Sequence, residues 1–323
     1  MSLSRLGVNL QRYLGLFALL GVTVAFYFAA PNKFFLDIAV LAAINAIACV
    51  GLNLLIGYAG QISLGHAAFF AIGAYAPAIL EHRTGVNLLV CVAASAVITG
   101  LLAFVIGRPI LRLKGHYLAM ATLGFGAIAT IVINHETGIT GGADGLNVPR
   151  LIVYGHAIEG ETTWFWIAAI TLLMVVWASL NLIDSAPGRM LQAVHGSEFA
   201  ARSAGIDTHR VKVLTFVLSA VLACVSGSMF AQYVGYVTPD KATFAKSVEL
   251  VTMVVVGGLA SVYGAVVGAL LLTVLPQLLT SLENYELAVF GAILVTSVVV
   301  MPRGIVPSIS GAIERMSARS ASK

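Results

Sequence analysis

Arg189, His195, Glu198, Arg202, His209 and Arg210 crowd into one polar stretch, Gly188 to Lys212 (GRMLQAVHGSEFAARSAGIDTHRVK), between two strongly apolar ones. Their types and spacing suit docking, not catalysis. Ser197 is a good helix N-cap, and Glu198 sets a carboxylate in the first turn, where the helix dipole favours it. Ala200, Ala201 and Ala204 are strong helix formers, and Glu198 and Arg202 stand in the favourable i,i+4 order. Gly205 can take the left-handed conformation that ends a helix, with Ile206 packing back. The spacing predicts a short capped helix made to seat in another protein; the other reading is an amphipathic helix solvated at a membrane surface.

Catalytic patterns are missing elsewhere. No G-x-x-x-x-G-K-[ST] loop exists to bind ATP, and no H-E-x-x-H, G-x-S-x-G or C-x-x-C supports an enzyme. Cys49, Cys91 and Cys224 lie singly in apolar runs and read as small buried hydrophobes, with no metal site or disulfide framework. No cofactor is implied.

The elements that must position the polar stretch are membrane spans. The chain is 59% hydrophobic and 10% charged, where a soluble domain carries about 25% charged residues. Apolar runs fall at Leu14–Ala30, Leu36–Ile56, Ile62–Leu80, Val86–Ile106, Tyr117–Ile133, Trp164–Ile183, Val213–Val237, Val248–Gly257, Gly264–Leu279 and Tyr285–Met301. Most approach the roughly 20 residues that cross a bilayer core; Val248–Gly257 is too short for a straight crossing. The fold class expected is therefore all-α and polytopic, about ten spans with some short or broken, in a single domain over residues 1–323. Leu14–Ala30 reads as an uncleaved first span, because the run is long and no convincing small-x-small site precedes Pro31; the other reading is a cleaved signal peptide with Arg5 and Arg12 as its n-region.

Lys and Arg set the orientation. Arg5 and Arg12; Arg108, Arg112 and Lys114; Arg189, Arg202, Arg210 and Lys212; and Arg303, Arg315, Arg319 and Lys323 all fall on one side of an even set of spans. The positive-inside rule makes that side cytoplasmic, with both termini and the 184–212 loop. The +4 net charge then reflects topology and contact with membrane lipids, not nucleic-acid binding.

Two small-residue stretches interrupt the spans: Gly57 to His66, with Gly60, Gln61, Ser63 and Gly65, and Gly257 to Gly264, with Gly258 and Ser261. They fit either close helix packing or unwound backbone lining a pathway, and matching breaks in two halves are what inverted repeats produce. Polar groups within spans are few: Asn45, Asn53, Gln61, His66, Gln232 and Gln277, with Asp37 and Glu249 as ionisable groups near span ends. His66 either faces the pathway or bonds a neighbouring carbonyl. So few ionisable groups speak against self-contained ion coupling. Energy comes from a partner, or the protein is passive.

Glu198-x-Ala200-Ala201-x-x-x-Gly205-Ile206 resembles the EAA-type docking loop of ABC-importer permeases. Four wider stretches resemble the M-type (LivM-like) permease subunit of branched-chain amino-acid importers: Gly51 to His66, Leu113 to Gly124, Thr140 to Leu146, and Val254 to Gly258 with Tyr263-Gly264. The resemblance implies a bacterial inner-membrane subunit that works with two cytoplasmic ATPase subunits, a second homologous permease and a periplasmic binding protein. It assigns Glu198, Ala200, Ala201, Arg202, Gly205 and Ile206 to ATPase coupling. Asn53, Gln61, Ser63, His66, Gly257, Gly258 and Ser261 become the expected substrate pathway. The 134–163 loop becomes periplasmic, with Gly141, Gly142 and Asp144 where the binding protein docks; the plain alternative is a surface turn using glycine at positive φ. A passive channel for urea or a similar neutral solute is the rival function.

Overall fold

The computed structural model describes residues 3–30, 32–153, 156–279, 291, 304–306 and 308. The expected span Tyr285–Met301, save Gly291, and the basic residues Arg303, Arg315, Arg319 and Lys323 lie outside the described residues.

α1 (Leu3–Ala29) leads into α2 (Lys33–Asn53), which continues through a π-helical turn, Leu54–Tyr58. An extended stretch then carries the chain to α3 (His66–Thr84), α4 (Leu88–Ile110) and α5 (His116–His135). Next come the short α6 (Thr137–Thr140), a 3₁₀ turn at Gly142–Asp144, β1 (Leu146–Asn147), and the hairpin of β2 (Ile152–Val153) and β3 (His156–Ala157). α7 (Glu161–Asp184) returns to the polar segment, which folds as α8 (Ala186–Gly196) and α9 (Glu198–Ser203). α10 (Thr208–Val234) crosses back to β4 (Tyr236–Val237), which pairs antiparallel with β1. A 3₁₀ turn at Pro239–Ala242 precedes α11 (Phe244–Gly257) and α12 (Val262–Leu279).

Among the described residues, five helices are long and apolar enough to cross a membrane: Lys33–Tyr58, α4, α5, α7 and α10. The chain is an all-α polytopic membrane protein. Two expected spans differ from the reading by apolar runs. Ile62–Leu80 is not one helix, because residues 59–65 are non-helical and α3 extends instead to a polar end at Thr84. α11 begins at Phe244, four residues before the expected run, and so takes Lys246 into the helix.

α2 is the core. In its most apolar window 83% of residues are buried, and it is apolar all round, as an enclosed helix must be. α10 runs antiparallel to it and parallel to α3, and the three are joined by serine hydroxyls. Ser226 Oγ donates to the Ile44 carbonyl at 2.6 Å and Ser228 Oγ to the Gly73 carbonyl at 2.7 Å. Such bonds, with small residues at the contact, hold helices together where lipid offers no hydrophobic drive. The outward faces of α4 and α5 stay apolar, with Val97, Leu101, Val105, Met120, Ile128 and Ile131 exposed.

Candidate functional site: a capped docking helix and two joined helix breaks

α9 forms as its local sequence dictates. Ser197 has extended backbone and its hydroxyl accepts the Ala200 N–H at 3.2 Å. Arg202 reaches the Glu198 carboxylate at 2.9 Å. At the far end Gly205 sits at φ +83°. Its N–H donates to the Arg202 carbonyl and the Ile206 N–H to the Ala201 carbonyl, each at 3.0 Å; these two bonds make a Schellman ending. Ala201 is buried against the protein and Ile206 half-buried, while Ala200 and Gly205 face outward. Phe199, which the sequence reading did not single out, is 83% exposed.

The sequence reading also missed what fastens this helix. Lys212, counted there only as a positive-inside charge, is buried in the first turns of α10 at 3% exposure, with Nζ 2.7 Å from Glu198 Oε2. Thr208 Oγ1 lies 3.4 Å from Glu198 Oε1. Glu198 is thus the hub of α9, α10 and their connection. Burial alone raises its pKa, but the Lys212 hydrogen bond and the charges of Lys212, Lys114 and Arg202 outweigh that and hold it below the ordinary carboxylate value. Leu111 and Leu118, which flank the α4–α5 basic loop, pack in one core cluster with Val213 beside Lys212, which puts that loop and the start of α10 at one end of the bundle. A group with a depressed folded pKa stabilises above its unfolded pKa and loses that as pH falls through the folded one. Protection of the 197–206 segment from protease is therefore expected to survive acidification through the ordinary carboxylate range and to fail only below it. Glu198→Gln should show no such acid transition.

The two helix breaks meet each other. Asn53, at the end of α2, donates through Nδ2 to the carbonyls of Ser261 (2.6 Å) and Gly258 (3.4 Å) and accepts the Ala260 N–H at 3.0 Å. Ala260 holds a φ of +56°, a left-handed conformation that costs a non-glycine residue about 1–2 kcal/mol. A Cβ on Gly57 would come within 2.3 Å of the Ala260 nitrogen, so the first break fits against the second. Asn53→Ala strands buried backbone groups and is expected to lower stability by roughly 2–3 kcal/mol. Ala260→Gly should raise it by about 1 kcal/mol. Thermal unfolding in detergent reads both.

The extended stretch after the first break is also satisfied. The Leu64 N–H donates to Thr122 Oγ1 of α5 and the Ala67 N–H to Ser247 Oγ of α11, each at 3.1 Å. His66 is buried and its two ring nitrogens pair with hydroxyls, not a carbonyl: Nδ1 with Ser63 at 2.8 Å and Nε2 with Ser219 at 2.7 Å. It clamps the break to α10. Non-helical backbone at membrane depth survives only when so satisfied within the protein. Of the expected pathway residues, Asn53, Ser63, His66, Gly257 and Gly258 are buried, Gln61 and Ser261 are half-buried, and Gln61 Nε2 donates to the Ala59 carbonyl at 2.9 Å.

At the opposite end, the glycine cluster is an ordered turn. Gly141, Gly142 and Gly145 all have positive φ. A Cβ on Gly145 would lie 2.3 Å from the Val237 carbonyl oxygen, so the turn is pressed onto the α10–α11 connection. Asp144 is exposed on it. Glu159 pairs with Arg150, and Glu161 with Lys33 at 3.6 Å.

Comparison with known proteins covers nearly all of this architecture. The family model described as "Branched-chain amino acid transport system / permease component" matches residues 34–298. The high-affinity branched-chain amino-acid permease protein LivM of Escherichia coli K12 is 32% identical over 93% of this chain and 76% of its own length. LivM of Salmonella typhimurium is 31% identical over the same shares. LivH of Salmonella typhimurium is 26% identical over 82% of this chain and 92% of its own length. No solved structure matches significantly. By this coverage, the chain belongs to the family of permease components of branched-chain amino-acid transport systems.

Proposed function

We propose that this chain is the membrane-spanning permease subunit of an ABC importer for branched-chain or related neutral amino acids, driven by two ATPase subunits it does not itself contain. The observation that carries the reading is the Glu198 hub. A short helix capped at both ends and salt-bridged to a buried lysine of α10 transmits displacement to a span, as a coupling element must. Phe199 projects from it as the apolar anchor for a groove, with Ala200, Arg202 and Gly205 beside it.

The remaining assignments follow. We count α1, α2, α3, α4, α5, α7, α10, α11 and α12 as crossings and take the apolar run Tyr285–Met301 of the sequence as a tenth; an even count and the positive-inside rule then favour both termini in the cytoplasm of a bacterial inner membrane. The breaks at 57–66 and 257–261, joined by Asn53, form the hinge of the pathway, with His66, Ser63, Gln61 and Ser261 moving with it. A second, homologous permease covers the apolar faces of α4 and α5. A periplasmic binding protein docks over Gly141, Gly142 and Asp144.

The test is reconstitution with the ATPase subunits and binding protein, comparing wild type with Phe199→Ala. Expected is ATPase activity stimulated by substrate-loaded binding protein in wild type, with ATPase capture by the variant about tenfold or more weaker, the loss of one exposed aromatic anchor. No ATPase capture by wild type, together with solute flux through the protein alone, would establish the passive channel instead.

A further inference from the structure

α11 carries two charges that apolar runs did not reveal at depth. Lys246 and Glu249 stand one turn apart with Nζ and Oε1 at 2.8 Å, their side chains 13% and 39% exposed. Lys246 Nζ also lies 3.4 Å from Asn45 Oδ1, and Asn45 Nδ2 donates to Thr273 Oγ1 of α12 at 3.1 Å. Asn45 is midway along the 26-residue helix Lys33–Tyr58, so the Lys246 ammonium reaches inside the bundle, while Glu249 stays partly exposed. Ionisable groups at such depth are costly and mark a cavity, pathway or partner charge.

Here they line a cavity of about 490 Å³ between α2, α11 and α12, which opens toward the Asp240–Lys241 pair at the end away from α9. Leu41 and Leu272 supply apolar wall. Leu41 also lines a second cavity, of about 610 Å³, beneath the 158–161 loop, so the two adjoin on one side of α2. This volume lies within the usual ligand-pocket range of about 300–1,000 Å³.

We propose that the cavity is a way-station for one zwitterionic aliphatic α-amino acid, Lys246 binding its carboxylate and Glu249 its ammonium, with the side chain against Leu41 and Leu272. Two fixed charges of opposite sign match the two charges of such a substrate, and net charge at depth stays zero before and after it enters. The Lys246–Glu249 pair then opens to form two pairs with the ligand, so neither side chain is left buried and uncompensated. The chemistry rejects an amine or a carboxylic acid alone, since each leaves one partner unmatched. The proposal rests on the importer reading and names a substrate contact within it.

Ala245 is exposed and lines the same cavity, and the native cysteines are buried. In the complete complex, Ala245→Cys is treated with the membrane-impermeant thiol reagent methanethiosulfonate-ethyltrimethylammonium, with L-leucine, 3-methylbutylamine or 4-methylpentanoate as competitor. The expected result is labelling that leucine slows and the other two do not. Adding Lys246→Gln should leave labelling intact and raise the leucine concentration for half-protection about tenfold or more, the loss of one charge-assisted hydrogen bond. No labelling, labelling without leucine protection, or protection unchanged in Lys246→Gln each overturns the station; the last would make the ion pair a strut for α11. ATP-driven leucine uptake by the same complex separates the two readings. Uptake without protection removes the station and leaves the importer, whereas failure to take up any neutral amino acid removes the importer reading.

Discussion

Glu198→Lys is expected to leave the chain inserted in the membrane yet uncouple it from the ATPase subunits proposed as its partners. Lys212 is buried at 3% exposure and its Nζ has the Glu198 carboxylate 2.7 Å away. Reversing that charge sets two ammonium groups against each other, with Arg202 adjacent. Removing one partner of a buried pair costs roughly 3–5 kcal/mol, far more than a six-residue helix gains from its own hydrogen bonds. α9 should therefore detach from the start of α10, while the span-to-span bonds made farther along α10, at Ser219, Ser226 and Ser228, stay in place. Two readouts check it: rapid protease cleavage near residues 197–206 with unchanged thermal unfolding of the rest, and basal ATPase activity that substrate-loaded binding protein no longer stimulates. Glu198→Gln should be intermediate, since an amide still accepts a hydrogen bond from Lys212. If Glu198→Lys retains full stimulation, α9 is not the coupling element.

Gly73→Val and Gly227→Val are expected to prevent folding. A Cβ on Gly73 would lie 1.9 Å from the Cys224 carbonyl oxygen, and one on Gly227 would lie 1.9 Å from the Phe70 carbonyl oxygen. In both places the obstacle is helix backbone, which cannot swing aside as a side chain can. α3 and α10 must separate, and the Ser228–Gly73 bond and the His66–Ser219 bond are lost with their contact. Overpacking commonly costs about 1–3 kcal/mol when side chains can yield; with backbone as the obstacle the loss should exceed that range. Monodisperse yield in detergent should collapse for both variants. Gly124→Ala in α5 is the control: a Cβ there has nothing within 4 Å, and the change should stay within about 1 kcal/mol. Equal yields for all three would mean that α3 and α10 do not pack as described.

The amino-acid sequence by itself determined the membrane class and the capped helix α9. Composition alone puts this chain in a bilayer. The cap at Ser197, the Glu198–Arg202 pair and the Gly205 ending lie at fixed short spacings, where 3.6-residue geometry decides which atoms meet. Runs of apolar residues placed most spans but could not see the backbone within them. The expected run Ile62–Leu80 begins four residues before its helix does: the Leu64 N–H is taken by Thr122 of α5 instead of by a helical turn, and the helix starts at His66, where Ser219 holds the imidazole and Ser247 the Ala67 N–H. The start of α11 was misjudged for a related reason. Lys246 ends an apolar run on any hydropathy count, but a charge is tolerated in the helix because Glu249 and Asn45 meet it.

Only the tertiary structure decided the rest. Lys212 finds Glu198 across a turn and a second helix. Asn53 finds Ser261 more than two hundred residues away, and Lys246 finds the middle of α2. Each such pairing depends on the rotation and depth of one helix against another. A shift of one residue turns a helix by about 100° and points a different side chain at the same neighbour. Glycine sets those depths, by letting α3 meet α10 and α11 meet α12 at backbone distance. No local spacing records which glycine faces which carbonyl, so the capped helix α9 could be read from residues 197–206, whereas the cavity that we assign to the substrate could not be read at all.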